Sequence, residues 1–232
     1  MTEAQTSPRE YRQSRFSLPQ GATHILIVRH GETQPLRLDE SMPMVDGQGD
    51  ALLDPRGHVQ AARIAARLAS QPLAAIYVTT MQRTAQTAAP LAEATGLEPI
   101  VESDLREVHL GEWEGGVYRI KREENDPGYE QVRAAQSWDV IPGAESSEVL
   151  AERVRRGVER IAGAHPDQRV VLVTHGGVIG MIAALATGGR MFSFADSDNA
   201  SLSHLVVSGD DWILRRFNDT SHLEIDLDIS CG

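Results

Sequence analysis

Two short apolar runs in this chain end in the same way, and that shared ending restricts the fold more than any bulk property. His24-Ile25-Leu26-Ile27-Val28 leads into Arg29-His30-Gly31, and Val170-Val171-Leu172-Val173 leads into Thr174-His175-Gly176-Gly177. Runs this apolar, rich in β-branched residues and lacking the alternation of a half-wetted strand, suit strands buried on both faces. Ile76-Tyr77-Val78 is a third short run of the same kind.

Helical patterns separate these strands. After Pro55 and Gly57, apolar residues recur at Val59, Ala62, Ala66 and Ala69, with Ile64 and Leu68 on a neighbouring face. A second helix is predicted over 82–94 and closed by Gly96. A long amphipathic helix opens at Ser146, with Val149, Leu150, Val154, Val158 and Ile161 on its apolar stripe. An apolar helix covers 178–186, and two hairpin-like strands follow near 202–207 and 212–217. Strands alternating with helices predict an α/β fold: a three-layer sandwich whose largely parallel central sheet is flanked by helices.

No internal repeat or linker divides the chain, so 22–232 reads as a single domain. The polar residues 1–21 read as a disordered tail. Residues 34–54 read as loop. Residues 115–143 are polar and irregular apart from a helix near 131–135, and read as an insertion placed over a site.

Ligands of open α/β sheets bind beyond the carboxyl ends of the strands. If the two His-Gly strands are neighbours, His30 and His175 meet in one crevice. The glycines would let backbone approach a ligand, and the helix after Gly177 would offer amide donors to an anion. An isolated strand-end histidine is ordinarily a polar residue bonded to backbone. A pair in equivalent positions, one preceded by Arg29, points to chemistry instead.

Charge narrows the chemistry. The net charge of −11 argues against a nucleic-acid partner and would repel an anionic substrate at long range. A phosphate site would therefore be a local cluster of Arg and His. Cys231 is the only cysteine, so no internal disulfide is possible. With no signal-like or membrane-spanning apolar run, the expected location is cytoplasmic, with no membrane partner.

Leu26-Ile27-Val28-Arg29-His30-Gly31-Glu32-Thr33 resembles the signature of the histidine phosphatase superfamily, which includes the cofactor-dependent phosphoglycerate mutases. Further segments follow in the family's order: Gln82-Arg83-Thr84-Ala85-Gln86-Thr87-Ala88, then the stretch from Leu105 to Gly115 with Glu107, then Pro142-Gly143-Ala144-Glu145-Ser146, then Val171 to Gly177. The likeness spans roughly 25–223.

The resemblance implies a histidine phosphatase domain that hydrolyses a small phosphomonoester without metal or cofactor and is compatible with a homo-oligomer. His30 would be the nucleophile, forming a phosphohistidine. Arg29, Arg83 and His175, with Gly176, would hold the phosphoryl group, and Glu107 would move the proton. Glu112 and Glu114 compete with Glu107 for that last role. Each role makes physical sense: phosphoryl transfer needs positioning and charge stabilisation, which guanidinium groups supply without a metal. Nothing in the sequence has metal-ligand spacing. Arg83 alone would read as a solvated helix face. His109 reads as structural, and His24, His58, His165, His204 and His222 have no counterpart in the motifs.

The chain also departs from the family. Gln34-Pro35-Leu36-Arg37 follows the first motif, Val78-Thr79-Thr80 replaces Ser-Ser-Pro, and Leu52-Leu53-Asp54 replaces Pro-Leu-Thr. Ala135 and Gln136 stand where the mutases carry two adjacent arginines. The insertion is accordingly expected to lack cations for a second acidic group, which favours hydrolysis over a mutase reaction. A catalytically weak phospho-ligand binder is the third reading. Arg37, Arg119, Lys121 and Arg122 are candidate specificity cations, with surface charge the plainer reading of the last three.

Overall fold

A computed structural model describes residues 10–223. Residues 10–19 have no regular structure and are exposed. The remainder of the expected tail, 1–9, and Cys231 lie outside the described residues.

In chain order the strands and α-helices are β1 (Thr23–Arg29), β2 (Met44–Val45), β3 (Gln48–Gly49), α1 (Pro55–Leu68), β4 (Ala75–Val78), α2 (Gln82–Thr95), β5 (Ile100–Val101), α3 (Val117–Glu123), α4 (Pro127–Ala135), α5 (Ser147–Ala164), β6 (Arg169–Thr174), α6 (Gly176–Thr187), β7 (Leu202–Ser208) and β8 (Asp211–Asp219). Six of the strands form one sheet in the order β5-β4-β6-β1-β7-β8. β5, β4, β6 and β1 run parallel, and β7 and β8 turn back antiparallel. The expected architecture is present: a largely parallel sheet between two layers of helix.

Alternate β1 residues point into different cores, as the period of a strand requires. Ile25 and Ile27 pack with Leu150, Val154 and Val158 of α5 and with Ile179 of α6. Leu26 and Val28 pack with Ile64 and Leu68 of α1 and Leu91 of α2. Burial of each such side chain stabilises the fold by about 1.5–3 kcal/mol. This double covering explains why β1 and β6 carry no polar alternation.

The register is what positions the site. β1 and β6 are direct neighbours, with Arg29 opposite Thr174. The residues that follow, His30 and His175, therefore leave the same edge of the sheet side by side.

Three expectations need correction. Val59 and Val149 are outward-facing, 54% and 53% exposed. α1 instead buries Ala61, Ile64, Ala65 and Leu68, the face with the larger side chains. Residues 34–54 are not all loop, because β2 and β3 form a small antiparallel hairpin. Its turn, Asp46-Gly47, has positive φ at both residues, the geometry that Asp-Gly favours. Residues 115–143 contain two α-helices and a 3-10 turn at Trp138–Val140 rather than one helix. α4 opens with Asp126 accepting from the Gly128 amide and Pro127 in its first turn, a standard helix start. Among the described residues no helix is long and apolar enough to cross a membrane.

Candidate active site

His30 is held by bonds that fix its protonation as well as its position. Its backbone N–H donates to Thr174 O (2.9 Å), and Asn199 Nδ2 donates to its carbonyl (3.0 Å). The ring Nδ1 lies 2.8 Å from Gly31 O. A carbonyl only accepts, so Nδ1 carries the hydrogen and Nε2 keeps its lone pair. Burial, then the charges of Arg83 and Arg29, hold the ring's pKa well below the usual histidine value. His30 is a neutral imidazole with a bare Nε2.

His175 stands edge-on to it, ring centroids 5.3 Å apart at 61°. Its Nε2 is 3.0 Å from Thr79 Oγ1. That hydroxyl already accepts from Met81 N, while Thr84 Oγ1 is 2.7 Å from Met81 O and donates there. The contact with Thr79 ties Nε2 to the residue just past the end of β4. Nδ1 is buried and has no partner. An orphaned buried polar atom costs about 1–3 kcal/mol, a cost that a ligand bonded there would remove. Burial, followed by the charge of Arg83, holds this ring neutral too. The wall of the cleft reaches Gly176 and Gly177 but not His175 itself.

The two arginines arrive from different elements. Arg29 ends β1, and its Nη1 donates to Ser197 O while its Nε is buried without a partner. A Cβ on Gly176 would lie 3.4 Å from that Nε, so the absence of a side chain there leaves room for the guanidinium. Arg83, in the first turn of α2, is only 8% exposed and is not the solvated helix face that its position alone would suggest. Its Nη1 donates to Gly49 O (2.9 Å) and lies 3.5 Å from Asp50 Oδ1. The β2–β3 hairpin therefore grips an arginine that α2 delivers.

Geometry separates the three carboxylates. Both oxygens of Glu114 are used, accepting from Leu110 N (2.8 Å) and Gly49 N (3.0 Å). Glu112 is exposed and absent from the cleft wall. Glu107 and Glu114 both line the cleft, but the amide contacts of Glu107, from Val108 N (3.0 Å) and Gly177 N (3.4 Å), are on average longer than those that tie down Glu114. The Gly177 amide thus faces Glu107 rather than open space, contrary to the role expected for it. His109 accepts from Gly111 N (3.1 Å), away from the cleft, in keeping with a structural role.

Sequence reasoning missed the brace behind Glu107. Arg153 of α5 donates to the carbonyls of Asp104 (2.7 Å), Arg106 (2.6 Å) and Glu107 (3.1 Å) and grips both oxygens of Glu145. Gln48 of the hairpin also donates to Glu107 O (2.9 Å). Such side-chain-to-backbone bonds leave no spacing signal in a sequence. Arg153→Met should cost about 3 kcal/mol, because it strands Glu145 in a largely buried pair. A lowered melting temperature with a fall in kcat and little change in KM is the expected result. Wild-type melting would show the brace to be idle.

Gly31 plays a different part from the one expected. A Cβ there would stand 2.7 Å from Gly57 O, and one on Gly57 would stand 2.1 Å from Glu32 O. The two glycines let the loop after His30 lie directly on the first turn of α1, and neither is spared for a ligand.

The cleft, about 570 Å³, takes its far wall from 115–143, including Tyr118, Arg119, Arg122 and Arg133. This overturns two expectations. Arg119 is not merely surface charge, and 115–143 does not lack cations at the site despite Ala135 and Gln136, whereas Arg122 is exposed and lies 3.5 Å from Asp196, as surface charge would. Desolvation alone lowers the pKa of Arg119, with no carboxylate opposing it. Lys121, by contrast, pairs with Asp126 (3.0 Å) and lies over Trp113, and Arg37 pairs with Glu40 on the surface.

A bare ring nitrogen with guanidinium groups converging on it at the end of a parallel sheet is the equipment of a phosphoryl-transfer enzyme. The family model of the histidine phosphatase superfamily (branch 1) matches residues 25–220, and the chain belongs to that superfamily. Phosphoglycerate mutase-like protein 4 of Arabidopsis thaliana is 33% identical over 204 residues, covering 86% of this chain and 86% of that protein. The metal-independent phosphoserine phosphatase of the same plant is 32% identical over 204 residues, covering 87% and 83%. Among solved structures, mycobacterial glucosyl-3-phosphoglycerate phosphatase has a TM-score of 0.68 at 30% identity, covering 86% of this chain and 100% of that one.

Proposed function

We propose that this protein hydrolyses a small phosphomonoester through a phosphohistidine on His30, without a metal ion. The observation that carries the reading is the Nδ1–H bond to Gly31 O, which leaves Nε2 free and aimed away from its own backbone. Nε2 attacks phosphorus as the ester P–O bond breaks, and Glu107 gives its proton to the departing oxygen. Glu107 then takes a proton from water as the water oxygen bonds to phosphorus and the P–N bond breaks, releasing inorganic phosphate. Arg29, Arg83 and His175, through its unpartnered Nδ1, hold the non-bridging oxygens, with Gly176 leaving space for Arg29. Fixed guanidinium charge does here what a divalent ion does at other phosphoryl-transfer sites. Two of the relatives named above are called phosphatases, one of them metal-independent. A cytoplasmic location, expected from the sequence, is part of the same proposal.

A mutase is the second reading, favoured by the cationic far wall of the cleft and by the name of the Arabidopsis mutase-like relative. One panel separates the two: phosphate release from an array of phosphomonoesters, beside a mutase assay with and without bisphosphoglycerate. The expected result is phosphate release at a rate that chelator leaves unchanged and vanadate suppresses. Activity lost in chelator and restored by one divalent ion would remove the metal-free assignment. Isomerisation without net phosphate release would favour the mutase.

A further inference from the structure

We propose that Arg119 is a substrate-contacting residue that selects phosphomonoesters bearing a second anionic group on the leaving-group side. The inference rests on the phosphatase reading for its orientation of substrate. Arg119 lies on α3, outside every segment whose resemblance to the family assigns a role. Its Nη2 donates to Thr33 Oγ1 (2.7 Å) and its Nη1 to Gln34 O (3.3 Å). Both partners are neutral, and Arg119 makes no ion pair among the described residues. It lines the cleft and also an adjoining one, both of which reach Arg29 and His30. Its charge is near enough to act on the His30, Arg29 and Arg83 side chains.

Position decides what that charge is for. The phosphoryl oxygens already have Arg29, from the end of β1, and Arg83, from the first turn of α2. In-line attack by Nε2 sends the departing oxygen to the side of phosphorus opposite His30. Arg119, a cleft-lining guanidinium with no ion pair among the described residues, is the group assigned to that side. It is tethered at Thr33, three residues beyond the nucleophile, so its distance from the phosphoryl site is set. Arg133 lines the same wall and extends the positive surface outward. In a chain of net charge −11, a cleft lined by five arginines against Glu107, Glu114 and Asp196 is a local excess of positive charge, to which Arg119 adds a guanidinium without an ion pair among the described residues.

The test uses a matched pair, 2-phosphoglycolate and 2-hydroxyethyl phosphate, which differ in one carboxylate. The wild-type protein should prefer the acid in kcat/KM, and Arg119→Gln should cut that preference about tenfold or more, the effect of one charge-assisted hydrogen bond. Arg119→Lys should keep part of the preference, since it retains charge but loses the fork. Thr33→Val, which removes the tether alone, should fall between. Calorimetric binding of both compounds to His30→Ala, and to His30→Ala combined with Arg119→Gln, reads the same preference without turnover. Equal losses on the two compounds, or a preference that survives in Arg119→Gln, would overturn the assignment. If neither compound is hydrolysed but the binding preference falls with Arg119, the proposal stands and the phosphatase reading fails.

Discussion

His30→Ala should abolish turnover, by about 10⁴-fold or more, while leaving the fold intact. The side chain contributes little to the scaffold, since its one ring hydrogen bond is to the carbonyl of its own neighbour, Gly31. The backbone bonds that hold the loop, to Thr174 O and from Asn199, survive the change. Wild-type protein quenched during turnover of a labelled substrate should yield an acid-labile, base-stable phosphoprotein, and the variant should yield none. Normal turnover by His30→Ala would end the proposal.

The same residue predicts a pH signature. The folded-state pKa of His30 lies below its unfolded value of about 6.5, so the folded protein binds fewer protons there. The stability this contributes is complete above about pH 6.5 and is lost as pH falls from there toward the folded pKa. His175 carries the same sign. His30→Ala should therefore lose less stability than wild type between pH 7 and pH 5 in thermal melts. A steeper acid loss in the variant would contradict the neutral assignment.

Glu107→Gln should slow hydrolysis of alkyl phosphates about 10²- to 10⁴-fold and of aryl phosphates far less. An alkoxide needs a proton to leave, whereas a phenolate departs with little help. The amide is isosteric but has one oxygen, which keeps the shorter bond from Val108 N and gives up the 3.4 Å contact from Gly177 N, while Arg153 and Gln48 still hold the Glu107 carbonyl, so the loop should keep its place. The contrast between leaving groups, measured as kcat/KM on both, is what proton donation alone produces. Equal losses on both would assign Glu107 another task. Glu114 makes the control, because its oxygens are tied to Leu110 N and Gly49 N and its loss should appear in melting temperature.

The parts of the molecule governed by periodicity were legible in its sequence. The runs ending at Val28 and Val173 had to be doubly covered strands, and their His-Gly endings fell side by side because β1 and β6 are neighbours. Glu107 needed the structure, since three carboxylates within eight residues differ only in which amides they meet. Arg153 and Gln48 were silent for the same reason: their partners are carbonyls, which every residue has. Arg119 was hidden by its neighbours. In a run with Lys121 and Arg122 it reads as solvated charge, and only the path of α3 shows that Arg119, though exposed, stands on the cleft wall with neutral partners while Lys121 is spent on Asp126.

The facing pair Gly31 and Gly57 makes α1 a bearing surface for the reaction. This helix supplies none of the residues proposed to touch substrate, yet its first turn and the nucleophile's loop meet backbone to backbone, with no side chain to deform between them. A methyl group at either position would act as a wedge, and the displacement would pass undamped to the ring nitrogen one residue away. The alignment tolerance of the nucleophile is therefore set by the thickness of two bare Cα atoms, at a place where no functional group would draw attention.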